Sequence, residues 1–115
     1  MKPGPDADRA LIAHMQQCLA LIADYTGGDR IRFDASSMVR DAVIRNLQIF
    51  TESSQRLSES IKSTEPEVPW RELSGFRNVL VHGYLGVDLE AVWSVIEQDL
   101  PTLTIALQRM AHRGF

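Results

Sequence analysis

The 115-residue sequence predicts an all-α fold: an up-and-down bundle of four or five helices forming a single domain over the whole chain, 1–115. Three observations predict it. Apolar residues recur at steps of three, four and seven along most of the chain, the spacing of one face of a helix. Prolines and glycines fall between those stretches, where they stop helices and turn the chain. No alternating strand of useful length, hairpin signal or internal repeat is present.

A first helix is expected from about Asp6 to Tyr25, with Ile12, Met15, Leu19 and Ile22 on one stripe. Gly27 and Gly28 end it, since glycine readily takes the left-handed conformation found at helix C-termini. Residues 29–36 read as a connecting loop whose Ile31 and Phe33 tuck onto the end of the bundle. A long second helix, capped by Ser36 or Ser37, is expected to reach about Lys62 on the repeat Val39, Val43, Leu47, Phe50, Leu57 and Ile61. Arg40, Arg45, Gln48, Glu52 and Arg56 occupy its other faces. Pro66 and Pro69 mark an extended linker, because the residue before a proline is pushed out of the helical region. A third helix runs from Trp70 through Phe76 to about His82, ended by Gly83 and Gly86. Asp88 is placed to cap a fourth, carrying Leu89, Val92, Trp93 and Ile96. Pro101 either kinks that helix or sits in the first turn of a fifth one capped by Asp99, and Leu103, Leu107 and Met110 continue the stripe. Trp70 and Trp93 are expected as core or interface anchors.

Composition narrows the function. Apolar residues make up 44% and charged residues 23%, ordinary values for a globular protein. The formal net charge of −3 argues against coating nucleic acid by bulk electrostatics, so any phosphate contact must come from a few placed arginines. Cys18 is the only cysteine, which excludes an intrachain disulfide and a cysteine-rich metal site. Its spacing from Met15 and Ile22 marks it as a small core residue. The first eight residues lack the apolar core of a signal peptide, and no apolar run approaches the ~20 residues that span a bilayer. A cytoplasmic protein without membrane attachment is expected.

The segment 70–88, WRELSGFRNVLVHGYLGVD, carries the chemistry. It sets Arg71, Arg77, Asn78, His82 and Tyr84 among leucine, valine and phenylalanine. A guanidinium holds a phosphate by paired hydrogen bonds. An imidazole, with an ordinary pKa near 6.5, gives or takes a proton at cellular pH. Together they are the minimum for cleaving RNA without a metal: one moves a proton, the other offsets charge on phosphate. On an ideal helix Arg77 and His82 point roughly 140° apart, whereas Asn78 and His82 share a face. Arg77 therefore reaches His82 through a distorted last turn, or across a two-fold interface that repeats the same patch on both chains. The same residues also fit a purely structural account, in which a histidine near a helix C-terminus caps carbonyls and favours the dipole. Arg40 and Arg45 are solvated-face residues or contacts to RNA or a partner. His14 and His112 have no ligand-like spacing with His82, no phosphate-cradling glycine loop occurs, and no metal or cofactor is expected.

The run Arg77-Asn78-Val79-Leu80-Val81-His82-Gly83-Tyr84 resembles the Arg-x4-His-x-Tyr motif of the HepT toxins, members of the HEPN superfamily. Pro69-Trp70-Arg71, Val87-Asp88, Val92-Trp93 and Asp99-Leu100-Pro101 resemble that family in type and order, as does Asp41 to Arg45 leading to Glu52. The resemblance covers nearly the whole chain from the first helix onward. It implies a homodimer with both motifs lining an interface cleft. Arg77 and His82 become the catalytic pair of a metal-independent endoribonuclease, supported by Asn78, with Arg71, Arg40 and Arg45 as candidate contacts to RNA or partner. It further implies a type VII toxin–antitoxin pair, whose MntA-type nucleotidyltransferase antitoxin transfers AMP onto the motif tyrosine, here Tyr84. The sequence departs from the family where a Gly-Glu-Ala run is usual and Thr51-Glu52-Ser53 stands instead. Two other classes fit the residues less fully: a non-catalytic helical module presenting substrate to a nucleotidyltransferase, and a structural helical dimer.

Overall fold

The computed structural model describes residues 4–82 and 86–113, with Val81 and His82 described only by their place in a helix. Every regular element among the described residues is helical. Helix α1 spans Pro5–Thr26, α2 Arg30–Ala35, α3 Ser37–Arg56, α4 Glu59–Lys62, α5 Trp70–His82, α6 Leu89–Ser94 and α7 Leu100–His112, with a π-helical turn at Val95–Asp99 joining the last two.

The predicted stripes form the core. Ile12, Met15, Ile22, Val43, Leu47, Phe50, Leu107 and Met110 are essentially inaccessible to solvent. Cys18 is buried with them, and burial pushes its thiol pKa up, as suits an inert packing residue. The main packing partners are α1 with α3, α3 with α5, and α1 with α7. Contacts fix the directions. Asp8 near the start of α1 meets Ser58 just beyond α3, and Gln48 and Glu52 of α3 meet Leu80 and Arg77 of α5 in reverse order. Consecutive long helices thus run up and down.

Residues 29–36 are not a loop. Asp29 Oδ1 accepts from the Ile31 backbone N–H at 2.9 Å and caps α2, while Arg40 Nη1 donates to the Phe33 and Asp34 carbonyls at its other end. Residues two apart on a helix point in nearly opposite directions, so only one of the expected pair tucks in. Phe33 is fully buried with its ring centroid 5.3 Å from that of Trp93, and Ile31 is exposed. Ser36 caps α3 as expected, its hydroxyl accepting from Val39 N–H at 3.2 Å.

The second long helix ends earlier than its apolar repeat, at Arg56 rather than near Lys62. Leu57 is extended, and Ser58 gives its N–H to Asp8 Oδ1 at 2.9 Å and its hydroxyl to Oδ2 at 2.6 Å. Those bonds divert donors from the helix, and Ser58 then caps the one-turn α4 through Ile61 N–H. The linker is pinned by Trp70, whose indole N–H reaches the Lys62 and Glu65 carbonyls at 3.2 and 3.1 Å. It is also pinned by the buried Glu65 carboxylate, which accepts from Arg109 at 2.6 Å and from Arg113.

At the C-terminal end Asp88 caps α6 through Glu90 and Ala91 N–H groups. Helix α7 starts directly after Asp99 with Pro101 in its first turn, one of the two expected arrangements, but Asp99 makes no side-chain cap. The chain stays helical while Leu100 N–H reaches back five residues to the Val95 carbonyl. Pro101 has no N–H to donate, and its ring crowds the carbonyl four residues back; widening one turn relieves both.

Candidate active site

Helix α5 presents two faces of different character. Leu73 and Leu80 are buried against α3, with Phe76 and Arg77 half-buried beside them. Arg71, Glu72, Gly75, Asn78 and Val79 are exposed. His82 lies four residues beyond Asn78 and seven beyond Gly75, in helical register with both. Its side chain lies outside the described residues, as does the whole of Tyr84.

The helix is regular through His82. Within one chain the positions of Arg77 and His82 stay roughly 140° apart.

Arg77 points toward α3. Its Nη2 lies 3.6 Å from Glu52 Oε1, and about a third of the side chain (34%) remains exposed. Its Nε is buried and has no hydrogen-bond acceptor among the described residues. A buried donor left unmade costs about 1–3 kcal/mol, so such groups concentrate where function, not folding, has set the geometry. The guanidinium is held from one side by a carboxylate while retaining open hydrogen-bonding capacity and access to solvent.

The end of α5 is fixed from α3 as well. Gln48 Nε2 donates to the Leu80 carbonyl at 3.2 Å, tying the last turns of α5 to α3. Arg45 Nη1 donates to Gln48 Oε1 at 3.4 Å, one turn away on α3. Arg40 lies farther off, its guanidinium engaged with the end of α2. Arg71 and Asn78 are exposed, with no ion pair or hydrogen bond among the described residues. The structure therefore pairs Arg77 with Glu52 and ties Gln48 to Leu80 with Arg45 bonded to Gln48, while Arg40 is held at α2. Glu52 and Gln48 are the two that the motif did not name: they sit on another helix, and only packing reveals them.

Among the described residues no three His, Cys, Asp or Glu side chains converge in a metal-binding arrangement, and no helix is long and apolar enough to cross a membrane.

The family model described as Ribonuclease HepT-like matches residues 15–110. The "Probable ribonuclease HepT" of Thermococcus cleftensis is 42% identical over 54% of this chain and 56% of its own length. "Putative RNase MJ1380" of Methanocaldococcus jannaschii is 37% identical over 65% of this chain and 69% of its own. "Putative RNase TTE0752" of Caldanaerobacter subterraneus is 30% identical over 77% of this chain and 80% of its own. The match thus spans little more than half of the Thermococcus protein and most of the Caldanaerobacter one. No solved structure matches the chain.

Proposed function

Because the chain belongs to the HepT-like ribonuclease family, we propose that it is a metal-independent endoribonuclease that uses Arg77 and His82 across the cleft of a homodimer. The observation that carries this reading is the state of Arg77. It is oriented by Glu52, carries a buried N–H with no acceptor among the described residues, and sits on a helix that runs on to His82. A homodimer would supply two copies of each residue to one cleft. The exposed face of α5 holds Gly75, where an added Cβ would meet nothing within 4 Å, and Val79, 45% exposed. A small residue beside an exposed apolar one lets a second helix approach closely, and a two-fold operation repeats the same patch on both chains at one interface.

The chemistry follows from the two groups. The ribose 2′-hydroxyl attacks the adjacent phosphorus and the P–O5′ bond breaks, giving a 2′,3′-cyclic phosphate and a 5′-hydroxyl. His82 takes or supplies the proton moved in this exchange, and Arg77 offsets the charge that gathers on the phosphate oxygens. Asn78, one turn before His82, is placed to orient the imidazole. Arg45, Arg71 and, less directly, Arg40 are candidate contacts to RNA or a partner.

In this reading the protein is the toxin of a two-component pair. An MntA-type nucleotidyltransferase acts as antitoxin by transferring AMP from ATP to the Tyr84 hydroxyl, with release of pyrophosphate. Bulky anionic nucleotides beside the cleft then exclude RNA by occlusion and like-charge repulsion.

The test is RNA cleavage in EDTA by unmodified protein beside His82→Ala and Arg77→Ala variants of matched fold and dimer content. Losses of about 100- to 10,000-fold for the histidine variant and about 100- to 1,000-fold for the arginine variant are expected. Absence of cleavage by the wild type across several RNA classes, with Tyr84 confirmed free of AMP, would instead favour a non-catalytic module serving a nucleotidyltransferase.

A further inference from the structure

A groove of about 460 Å³ lies between α1 and α3, lined by Leu11 and His14 from α1 and by Ile49, Glu52, Ser53 and Arg56 from α3. Its volume falls in the ~300–1,000 Å³ range of sites that hold small ligands. Glu52 links it to the candidate active site, because the same side chain that lines the groove contacts Arg77. From this juxtaposition we infer that the groove is a nucleotide subsite, seating a single-stranded RNA residue next to the phosphate engaged by Arg77. The inference rests on the ribonuclease reading above.

Three features match that occupant. Leu11 and Ile49 contribute apolar surface against which a base can lie, since every base offers a flat face that packs without sequence readout. His14 and Arg56 are exposed and, among the described residues, make no ion pair or hydrogen bond, so their donors are free for phosphate or sugar oxygens. The groove's one carboxylate, Glu52, is paired with Arg77, so an approaching polyanion meets Arg56 with the carboxylate's charge already offset. In a chain of net charge −3, such a place is where an anionic strand is accepted rather than repelled. The helical register explains the assembly: Ile49, Glu52, Ser53 and Arg56 recur at three- and four-residue steps on one face of α3, and Leu11 and His14 are three apart on α1.

The experiment measures binding apart from cleavage. A fluorescein-labelled, fully 2′-O-methylated oligonucleotide lacks the attacking hydroxyl and stays intact, and its dissociation constant is read by anisotropy over a salt series. Wild type is compared with His14→Ala, Arg56→Ala and the double variant, with dimer content followed by native mass spectrometry. The double variant is expected to bind about tenfold or more weakly. Loss of Arg56 should also flatten the slope of log affinity against log salt by about 0.7, the amount for one phosphate contact on a single strand. An unchanged affinity and slope would overturn the proposal. So would loss of dimer with binding per dimer intact, which would make the groove a protein interface. Failure of the wild type to bind would overturn it too, whereas groove-dependent binding without cleavage of natural RNA would sink the ribonuclease reading alone.

Discussion

Asp8 offers the sharpest test of what holds the helices in register. It is buried, 4% exposed, and its carboxylate accepts both the backbone N–H and the hydroxyl of Ser58, fifty residues along the chain. Asp8→Ala removes both acceptors and leaves a half-buried N–H and O–H without partners. Hydrogen bonds to a charged group contribute about 1.5–3 kcal/mol each when fully buried. Partial solvation of Ser58 places the pair toward the lower end, so a loss of about 2–4 kcal/mol is expected. With an unfolding entropy of about 2.1 cal/mol/K per residue, a chain of 115 residues translates that into a drop in Tm of about 8–16 °C. Asp8→Asn is the informative companion. It keeps one carbonyl for the Ser58 N–H and lets the serine hydroxyl accept instead of donate, so it should lose about half as much. Both variants lose the same favourable charge in the first turn of α1, about 0.3–1 kcal/mol, so their difference isolates the hydrogen bonds. Urea unfolding at fixed protein concentration measures this without confusion from association. If both variants fall within about 0.5 kcal/mol of wild type, the premise that this contact terminates α3 is wrong.

Two further expectations concern charged groups. Arg109, then Arg113, hold the Glu65 carboxyl below the usual carboxylate range against the opposing effect of burial. A carboxyl whose folded pKa is depressed contributes stability that is present above its unfolded value, about 4.3, and is lost as pH falls through the folded value. The Tm advantage of wild type over Glu65→Gln should therefore hold from neutral pH down to about 5 and then shrink toward zero in stronger acid, as a scanning fluorimetry series would show. Glu52→Gln should behave differently: its pair with Arg77 is 45% and 34% exposed, so the stability change should stay under about 1 kcal/mol. Under the proposed reading kcat should fall several-fold while KM changes little, and an unchanged kcat in steady-state cleavage assays would remove Glu52 from the orientation of Arg77.

What was legible in the sequence, and what was not, divides by range. Long amphipathic stretches declared themselves: α1, α3, α5 and the combined α6–α7 segment carry stripes that match the buried residues. Residues 30–35 did not, because six residues hold too few turns for a period to be visible, and that helix depends on a cap at Asp29, on Arg40 and on Phe33 meeting Trp93. The break at Leu57 was equally hidden. No proline or glycine marks it, and Leu57 and Ile61 keep the apolar spacing across it; the cause is Asp8, on a different helix. The site follows the same rule. Arg77 stood out as an arginine among apolar neighbours, but Glu52 and the groove beside it are matters of packing between helices. The local pattern shows which residues do not belong to a core; only the fold shows what they face.

The π turn before Pro101 has an implication for how this stretch tolerates change over generations. Glu97, Gln98 and Asp99 all face solvent, so almost any polar residue could stand at these places without touching the interior. Their number is another matter. One residue more or fewer rotates everything downstream by about 100° and shifts it by about 1.5 Å along the axis. Trp93 on one side and Leu103, Leu107 and Met110 on the other are all seated in the core, and no single rotation could keep both sets there. The segment works like the tooth count of a gear, open to new spelling in every letter yet closed to insertion and deletion.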